Sequence, residues 1–291
     1  MKFTKVQGSG NDFVLLEADE SKRDWSRLAI SMCDRHFGIG ADGLLLLSPS
    51  EMADFKMRVF DPDGSEAEAC GNGLRCLVKY VLEKGLISAA NHQMTVETIA
   101  GIRKVKLEGT GGKIASIEVS MGEPKFSAGD IPLVIEPGGE LVDIKNMLGY
   151  PLTIENTSLL LNLVSIGNPH AVYFWQRPVY EFPLPRLGPK VENLPVFPNR
   201  VNFEVAHVVS RQKIEARVWE RGAGETLACG SGACAIAVAA RLHGYIDNKV
   251  DIKLPGGVLG VEWDGAGEVF LSGPAEIVFI GEWLNENVKK S

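Results

Sequence analysis

Ala69-Cys70-Gly71-Asn72-Gly73 returns, 159 residues on, as Ala228-Cys229-Gly230-Ser231-Gly232. Arg58-Val59-Phe60-Asp61 faces Arg217-Val218-Trp219-Glu220 at the same offset, Glu66 faces Glu225, and Gly85-Leu86-Ile87 faces Gly244-Tyr245-Ile246. Gly10-Asn11-Asp12 faces Gly167-Asn168-Pro169 at a slightly smaller one. One shared pentapeptide is a cheap coincidence, but matches before, at and after it in the same order are not. A long unit written twice predicts two like domains, because a solenoid needs three or more short repeats.

Each copy carries one dominant helix. Leu74, Leu77, Val78, Val81 and Leu82 recur at helical spacing and predict an amphipathic helix with Asn72 as N-cap and Gly85 as stop. In the second copy Ser231 suits the N-cap and Gly244 the stop, and Ile236–Ala240 is apolar all round, so that helix must be enclosed on every face. Arg103–Glu108, Lys213–Val218 and Asp251–Leu254 alternate as strands. Glycine turns at 109–112, 138–139, 256–257 and 265–267 separate the strands. A further helix is expected from near Asp24 to His36, and the stretch Pro178–Pro198, with six prolines, reads as a surface loop. Many short strands with one central helix per half predict an α+β fold.

The chain has 291 residues, 45% hydrophobic and 23% charged, with 30 Lys and Arg against 37 Asp and Glu, a net charge of −7. That balance suits a globular protein and argues against general nucleic-acid binding, which needs a basic face. No apolar run approaches the roughly 20 residues of a membrane helix, and the N-terminus lacks a signal-peptide pattern; a cytoplasmic protein is expected. Five cysteines are too few for a disulfide scaffold.

Cys70 and Cys229 stand at helix starts, where the N–H groups of the first turn have no intrahelical partner and favour an anion. Such a thiolate is expected to have a lowered pKa. A lone Cys-Gly-X-Gly is more simply a small buried residue before a turn; two at matched positions favour a paired role. One thiolate can remove a proton from carbon while the other thiol returns one to the opposite face, inverting a stereocentre, with N–H donors holding the carboxylate that gains charge.

With Gly8-Ser9-Gly10-Asn11-Asp12-Phe13, the run Arg35–Gly43, Asp63-Gly64-Ser65-Glu66, Gly167-Asn168-Pro169-His170, Arg200-Val201-Asn202 and Glu220–Thr226 added to the two cysteine motifs, the sequence resembles the diaminopimelate epimerase family over nearly its whole length. The resemblance implies two pseudo-symmetric α+β domains, each a mainly antiparallel sheet wrapped around a central helix, with the site in the cleft between them. Their expected extents are 1–118 plus 274–291 and 119–273. It implies a cofactor- and metal-free homodimer that takes a small amino-acid substrate and neither nucleic acid nor membrane. By similarity Cys70 and Cys229 are the acid/base pair. Gly71, Asn72, Gly230 and Ser231 would hold the carboxylate at the reacting carbon, and Asn11, Asn168, Asn202, Glu220 and Arg221 the other polar groups. His170 is placed second to these, and Cys33, Cys76 and Cys234 belong to the core. The family usually has Asn where this chain has Asp61, and can have Gln at Gly43; both bear on the substrate's distal end.

Rival readings exist. Gly38–Gly43 fits a dinucleotide-binding pattern, which would need a strand before it and a helix after it; here the expected order is reversed. The cysteine spacings suit zinc poorly. A related cofactor-independent racemase, and a thiol-redox or zinc-binding protein, are the alternatives.

Overall fold

A computed structural model describes residues 1–18, 23–67, 70–87, 92–110, 113–134, 147–155 and 157–284. Ala69, the glycines at 111, 112, 138 and 139, and the last residues of the C-terminal segment lie outside the described residues. The chain divides into two compact units, Met1–Val119 with Ser272–Ser291, and Ser120–Leu271.

In the first unit, β1 (Lys2–Gly8) pairs antiparallel with β2 (Asn11–Glu17), and β2 pairs parallel with β3 (Gly43–Ser48). Strand β3 pairs antiparallel with β4 (Phe55–Phe60), which pairs antiparallel with β5 (Glu66–Ala67) and parallel with β6 (Gln93–Thr98); β6 joins β7 (Gly101–Thr110) antiparallel. In the second unit the same sequence of pairings recurs. Strand β10 (Thr157–Ser165) pairs antiparallel with β11 (Pro169–Phe174), β11 parallel with β12 (Asn202–Ser210), and β12 antiparallel with β13 (Lys213–Glu220). Strand β13 then pairs antiparallel with β14 (Gly224–Thr226) and parallel with β15 (Lys249–Leu254), and β15 antiparallel with β16 (Gly257–Glu262). The repeat in the sequence is thus a repeat of topology, in a mainly antiparallel α+β arrangement.

A shared ion pair marks the correspondence. Arg58 grips Glu66 through two N–H donors at 2.6 and 2.8 Å, and Arg217 grips Glu225 at 2.7 and 2.9 Å. Each fork ties the long strand to the short one that leads into the helix, with the geometry Arg supplies and Lys does not.

Helix α1 (Trp25–Cys33) starts at Asp24, whose carboxylate accepts the Arg27 N–H. It ends three residues short of the expected limit. Asp34 leaves helical geometry and its Oδ1 accepts the N–H groups of His36 and Phe37, both at 2.7 Å, which competes with helix continuation. Helix α1 precedes Gly38–Gly43 and β3 follows it, the reverse of the dinucleotide order.

Helix α2 (Gly71–Glu83) is more enclosed than its amphipathic pattern predicts. Even Asn72 and Arg75 are buried, because Arg75 turns back onto the Gly71 carbonyl and the Asn72 amide oxygen at 3.4 and 2.8 Å. The stop holds. Gly85 adopts φ +65°, with Gly85 N–H donating to Leu82 and Leu86 N–H to Val81, both at 3.0 Å, the paired bonds of a Schellman close.

The proline-rich stretch is not a loop. Val179–Glu181 forms a 3-10 turn and α3 (Leu184–Glu192) an α-helix. Pro185 falls in the first turn, where its missing N–H costs nothing, and Leu184, Leu187 and Val191 recur at helical spacing and are buried. Gly188 lies against Trp219, where a Cβ would stand 2.5 Å from the indole. Proline density hid a real i, i+3, i+7 pattern.

Helix α4 (Gly230–Leu242) is buried along Ala233–Ala240, as an all-apolar helix requires. It closes at Gly244 with the same pair of bonds, Gly244 N–H to Arg241 and Tyr245 N–H to Ala240.

Candidate active site

Both helix starts differ from expectation in one respect. The N-caps are Cys70 and Cys229 themselves, two residues before Asn72 and Ser231. Each sulfur accepts the N–H of the third helical residue, Gly73 at 3.3 Å and Gly232 at 3.4 Å. That is the ordinary N-cap bond, made by sulfur. It leaves Gly71 and Asn72 in one helix, and Gly230 and Ser231 in the other, as the first two positions, whose N–H groups have no intrahelical acceptor. The glycines at the third position are required by space. A Cβ at 73 would stand 2.9 Å from Leu45 Cδ2, and one at 232 would stand 2.9 Å from Glu204 Oε1.

In the first unit Cys70 is half-buried and its thiol faces Asn11 Oδ1 at 4.0 Å. Asn11 follows the two-residue turn Ser9-Gly10, both at positive φ. Its amide is fixed at both ends: Nδ2 donates to Asp42 at 3.0 Å, and Oδ1 accepts from Asn72 Nδ2 at 3.2 Å. Asp42 also accepts the Asp12 N–H at 3.1 Å and Arg35 at 2.7 Å. Burial works against the Asp12 charge, but hydrogen bonds from Arg35 and Lys5 outweigh it and hold that carboxyl below its usual range. Asp61 follows β4. The residue as a whole is exposed, yet its carboxyl is partly dehydrated and near Asp63, and both push it up. A Cβ at Gly43 would stand 3.0 Å from the Phe60 carbonyl oxygen, so any side chain there displaces backbone.

In the second unit Cys229 is buried, with Ser231 Oγ 3.5 Å from its sulfur. Its pKa is not lowered. Burial first, then the Glu220 and Glu204 carboxylates, raise it well above the ordinary thiol value, outweighing the Ser231 and Gly232 hydrogen bonds. The helix start is present, but desolvation disfavours the charged form more strongly than the N–H groups favour it. Glu220 is raised too, chiefly by burial, against hydrogen bonds from Thr226 and the Cys229 thiol. Asn202 is buried and spent on backbone, donating to the Pro169 carbonyl at 2.8 Å and accepting the Arg221 N–H at 2.9 Å. The exposed Arg221 side chain donates to the Asn199 carbonyl at 3.1 Å. His170 lies between Glu204, 2.7 Å from Nδ1, and Asn168 Oδ1, 2.9 Å from Nε2. Glu204 has no counterpart among the sequence-derived candidates. Its signal was a single carboxylate on a strand otherwise rich in Val, Phe and Ala. Cys33, Cys76 and Cys234 are core: burial pushes Cys33 up to about 12 and Cys76 higher still.

Raised groups have a consequence for stability. A carboxyl whose folded pKa exceeds its unfolded value contributes stability below the unfolded pKa and loses it as pH rises through the folded one. Glu220→Gln is therefore expected to stabilise the ligand-free protein at pH 8 relative to pH 4. Melting curves at the two pH values check it.

The family model for diaminopimelate epimerase matches residues 3–127 and 162–278. Diaminopimelate epimerase of Pelotomaculum thermopropionicum is 46% identical over 286 residues, covering 97% of this chain and 99% of its own. That of Desulfovibrio desulfuricans is 45% identical over 285 residues, covering 97% and 98%. The chain belongs to the diaminopimelate epimerase family. Its members are isomerases, and this chain is an isomerase of the racemase and epimerase class. Two solved structures share the fold at low identity. A Bacillus anthracis phenazine biosynthesis protein of the PhzF family superposes with a TM-score of 0.69 at 18% identity, covering 98% of this chain and 99% of its own. A hydroxyproline epimerase from Agrobacterium vitis does so at 0.67 and 15%, covering 97% and 90%. No helix among the described residues is long and apolar enough to cross a membrane.

Proposed function

We propose that this diaminopimelate epimerase family member interconverts LL- and meso-diaminopimelate by two-base proton transfer between Cys70 and Cys229. The observation that carries the reading is the matched pair of cysteine N-caps, each at the head of a buried helix. One sulfur, as thiolate, takes the α-proton. The electron pair left on carbon spreads into the α-carboxylate, whose added charge the first-turn N–H groups of Gly71, Asn72, Gly230 and Ser231 stabilise. The other sulfur, as thiol, returns a proton to the opposite face. Protons and charge balance with no other reactant, and reversal exchanges the two roles. The raised Cys229 pKa suits the proton-bearing partner in the free enzyme. Asn11, Asn168, Glu220 and Arg221 serve the ammonium groups and the distal head, and Asn202 supports Arg221 by accepting its backbone N–H. Asp61 adds an acceptor-only carboxylate, which favours an ammonium near it.

The protein is further proposed to act in the cytoplasm as a homodimer, in the supply of lysine and of peptidoglycan precursors. Exposed Val278, Phe279 and Ile280 on β18 (Glu276–Glu282), which pairs antiparallel with β1, support self-association, since clustered exposed apolar side chains are ordinarily covered.

Incubation with LL-diaminopimelate in D₂O, beside a panel of other amino acids, tests the reading. Meso product carrying deuterium at the inverted carbon is expected. Turnover of a different amino acid alone assigns the racemase alternative, and meso product without deuterium refutes proton exchange.

A further inference from the structure

The matched registers of the two units expose a difference between them. Phe13 pairs with Gly43 on β2 and β3, and His170 with Asn202 on β11 and β12. His170 therefore occupies the place of Phe13, Asn168 that of Asn11, and Glu204 that of Leu45. Space confirms the last match. Leu45 lies under the glycine at the third position of α2, and Glu204 under the same glycine of α4, each 2.9 Å from where a Cβ would be. In the first unit the fold is satisfied there by two buried apolar side chains. In the second it buries a histidine and a carboxylate completely, and Glu204 Oε2 has no hydrogen-bond partner among the described residues. Burying such groups is costly, and Phe13 and Leu45 show that the architecture does not demand it.

The bonds show what the pair does. One proton lies between Glu204 Oε1 and His170 Nδ1, whichever atom holds it. A second must sit on Nε2, because that nitrogen faces the Asn168 amide oxygen, which only accepts. With its oxygen engaged, Asn168 has its NH₂ group to offer. Asn11 is held the other way: Asp42 takes its NH₂ group, and its oxygen faces Asn72 and Cys70.

We propose that Glu204, acting through His170, is a positioning residue that turns the Asn168 amide so that its NH₂ group, rather than its oxygen, meets a carboxylate of the substrate. The two matched asparagines then have opposite polarity: Asn11 presents an acceptor and Asn168 a donor. A zwitterionic amino acid, carrying both signs, is the ligand class this difference fits. The proposal rests on the epimerase reading for its substrate, but its geometry does not.

Two measurements test it. The first is the ¹⁵N resonance of His170 Nε2 in the wild-type protein, assigned by its loss in His170→Gln. A protonated Nε2 is expected. A bare Nε2 means that Asn168 donates to the ring, and overturns the proposal. This measurement needs no turnover, so it stands even if diaminopimelate proves not to be the substrate. The second uses LL-diaminopimelate with His170→Phe/Glu204→Leu, which copies the first unit. KM is expected to rise at least tenfold with kcat changed less than threefold, as when a contact made equally in ground and transition states is lost. Glu204→Gln, which keeps a hydrogen-bonding partner for Nδ1, is expected to recover most of that loss. An unchanged KM in the double variant overturns the proposal; wild-type enzyme that turns over another amino acid but not diaminopimelate overturns only the substrate assignment. Should the double variant fail to fold, the Nε2 resonance decides.

Discussion

Cys70→Ala and Cys229→Ala are each expected to lose racemising turnover by about 10²- to 10⁴-fold, the range that general acid–base groups contribute. The loss should have a particular character. Each variant retains one base and therefore one face of the carbon. In D₂O the surviving thiolate can remove the α-hydrogen from one configuration and return deuterium to the same side. Exchange with retention is thus expected from one stereoisomer in Cys70→Ala and from the other in Cys229→Ala, with inversion suppressed in both. Near-wild-type inversion by either variant sinks the two-base mechanism. Each substitution also removes an N-cap, which costs about 0.5–2 kcal/mol. Melting temperatures taken alongside separate that smaller effect from the chemistry, since a folded variant cannot owe a thousandfold loss to its cap.

The largest single effect on stability is expected at His170. His170→Phe leaves Glu204 fully buried without its partner, and breaking a buried pair from one side costs about 3–5 kcal/mol. Adding Glu204→Leu should restore most of it, because an apolar pair of similar volume is neutral or better in such sites, and Phe13 with Leu45 shows that the pair fits this architecture. Urea midpoints for the wild type, the two single variants and the double variant form the cycle. A double variant no more stable than His170→Phe would mean that the backbone around β11 and β12 cannot accept the apolar pair.

The repeated features were legible in the sequence because local chemistry produces them twice. Gly85 and Gly244 announce a positive-φ helix stop, and the two Arg–Glu forks appear as residues at equal offset. The helix of Leu184–Glu192 was not legible, because six prolines read as a loop until Pro185 is seen to fall where a helix has no N–H to lose. The cap positions were displaced by two residues because sulfur is not an expected capping atom. At Cys229 the sign of the pKa shift was missed. Helix position is written in the sequence, whereas the burial and the carboxylates of Glu204 and Glu220 are properties of the folded unit. Glu204 itself carries no local motif. Only the register against β11 brings it to His170.

The sulfur cap links two quantities that are usually separate. An N–H pointing at a neutral thiol makes a weak bond, and the same N–H pointing at a thiolate makes a charge-assisted and stronger one. Each time a proton leaves Cys70 or Cys229, the opening turn of a thirteen-residue helix is fastened more tightly, and each time one arrives it is loosened. An electrophile that captures either sulfur leaves a neutral thioether that can no longer make the charge-assisted bond, so covalent labelling is felt as fraying of backbone amides at Gly73 or Gly232, where hydrogen exchange would register it.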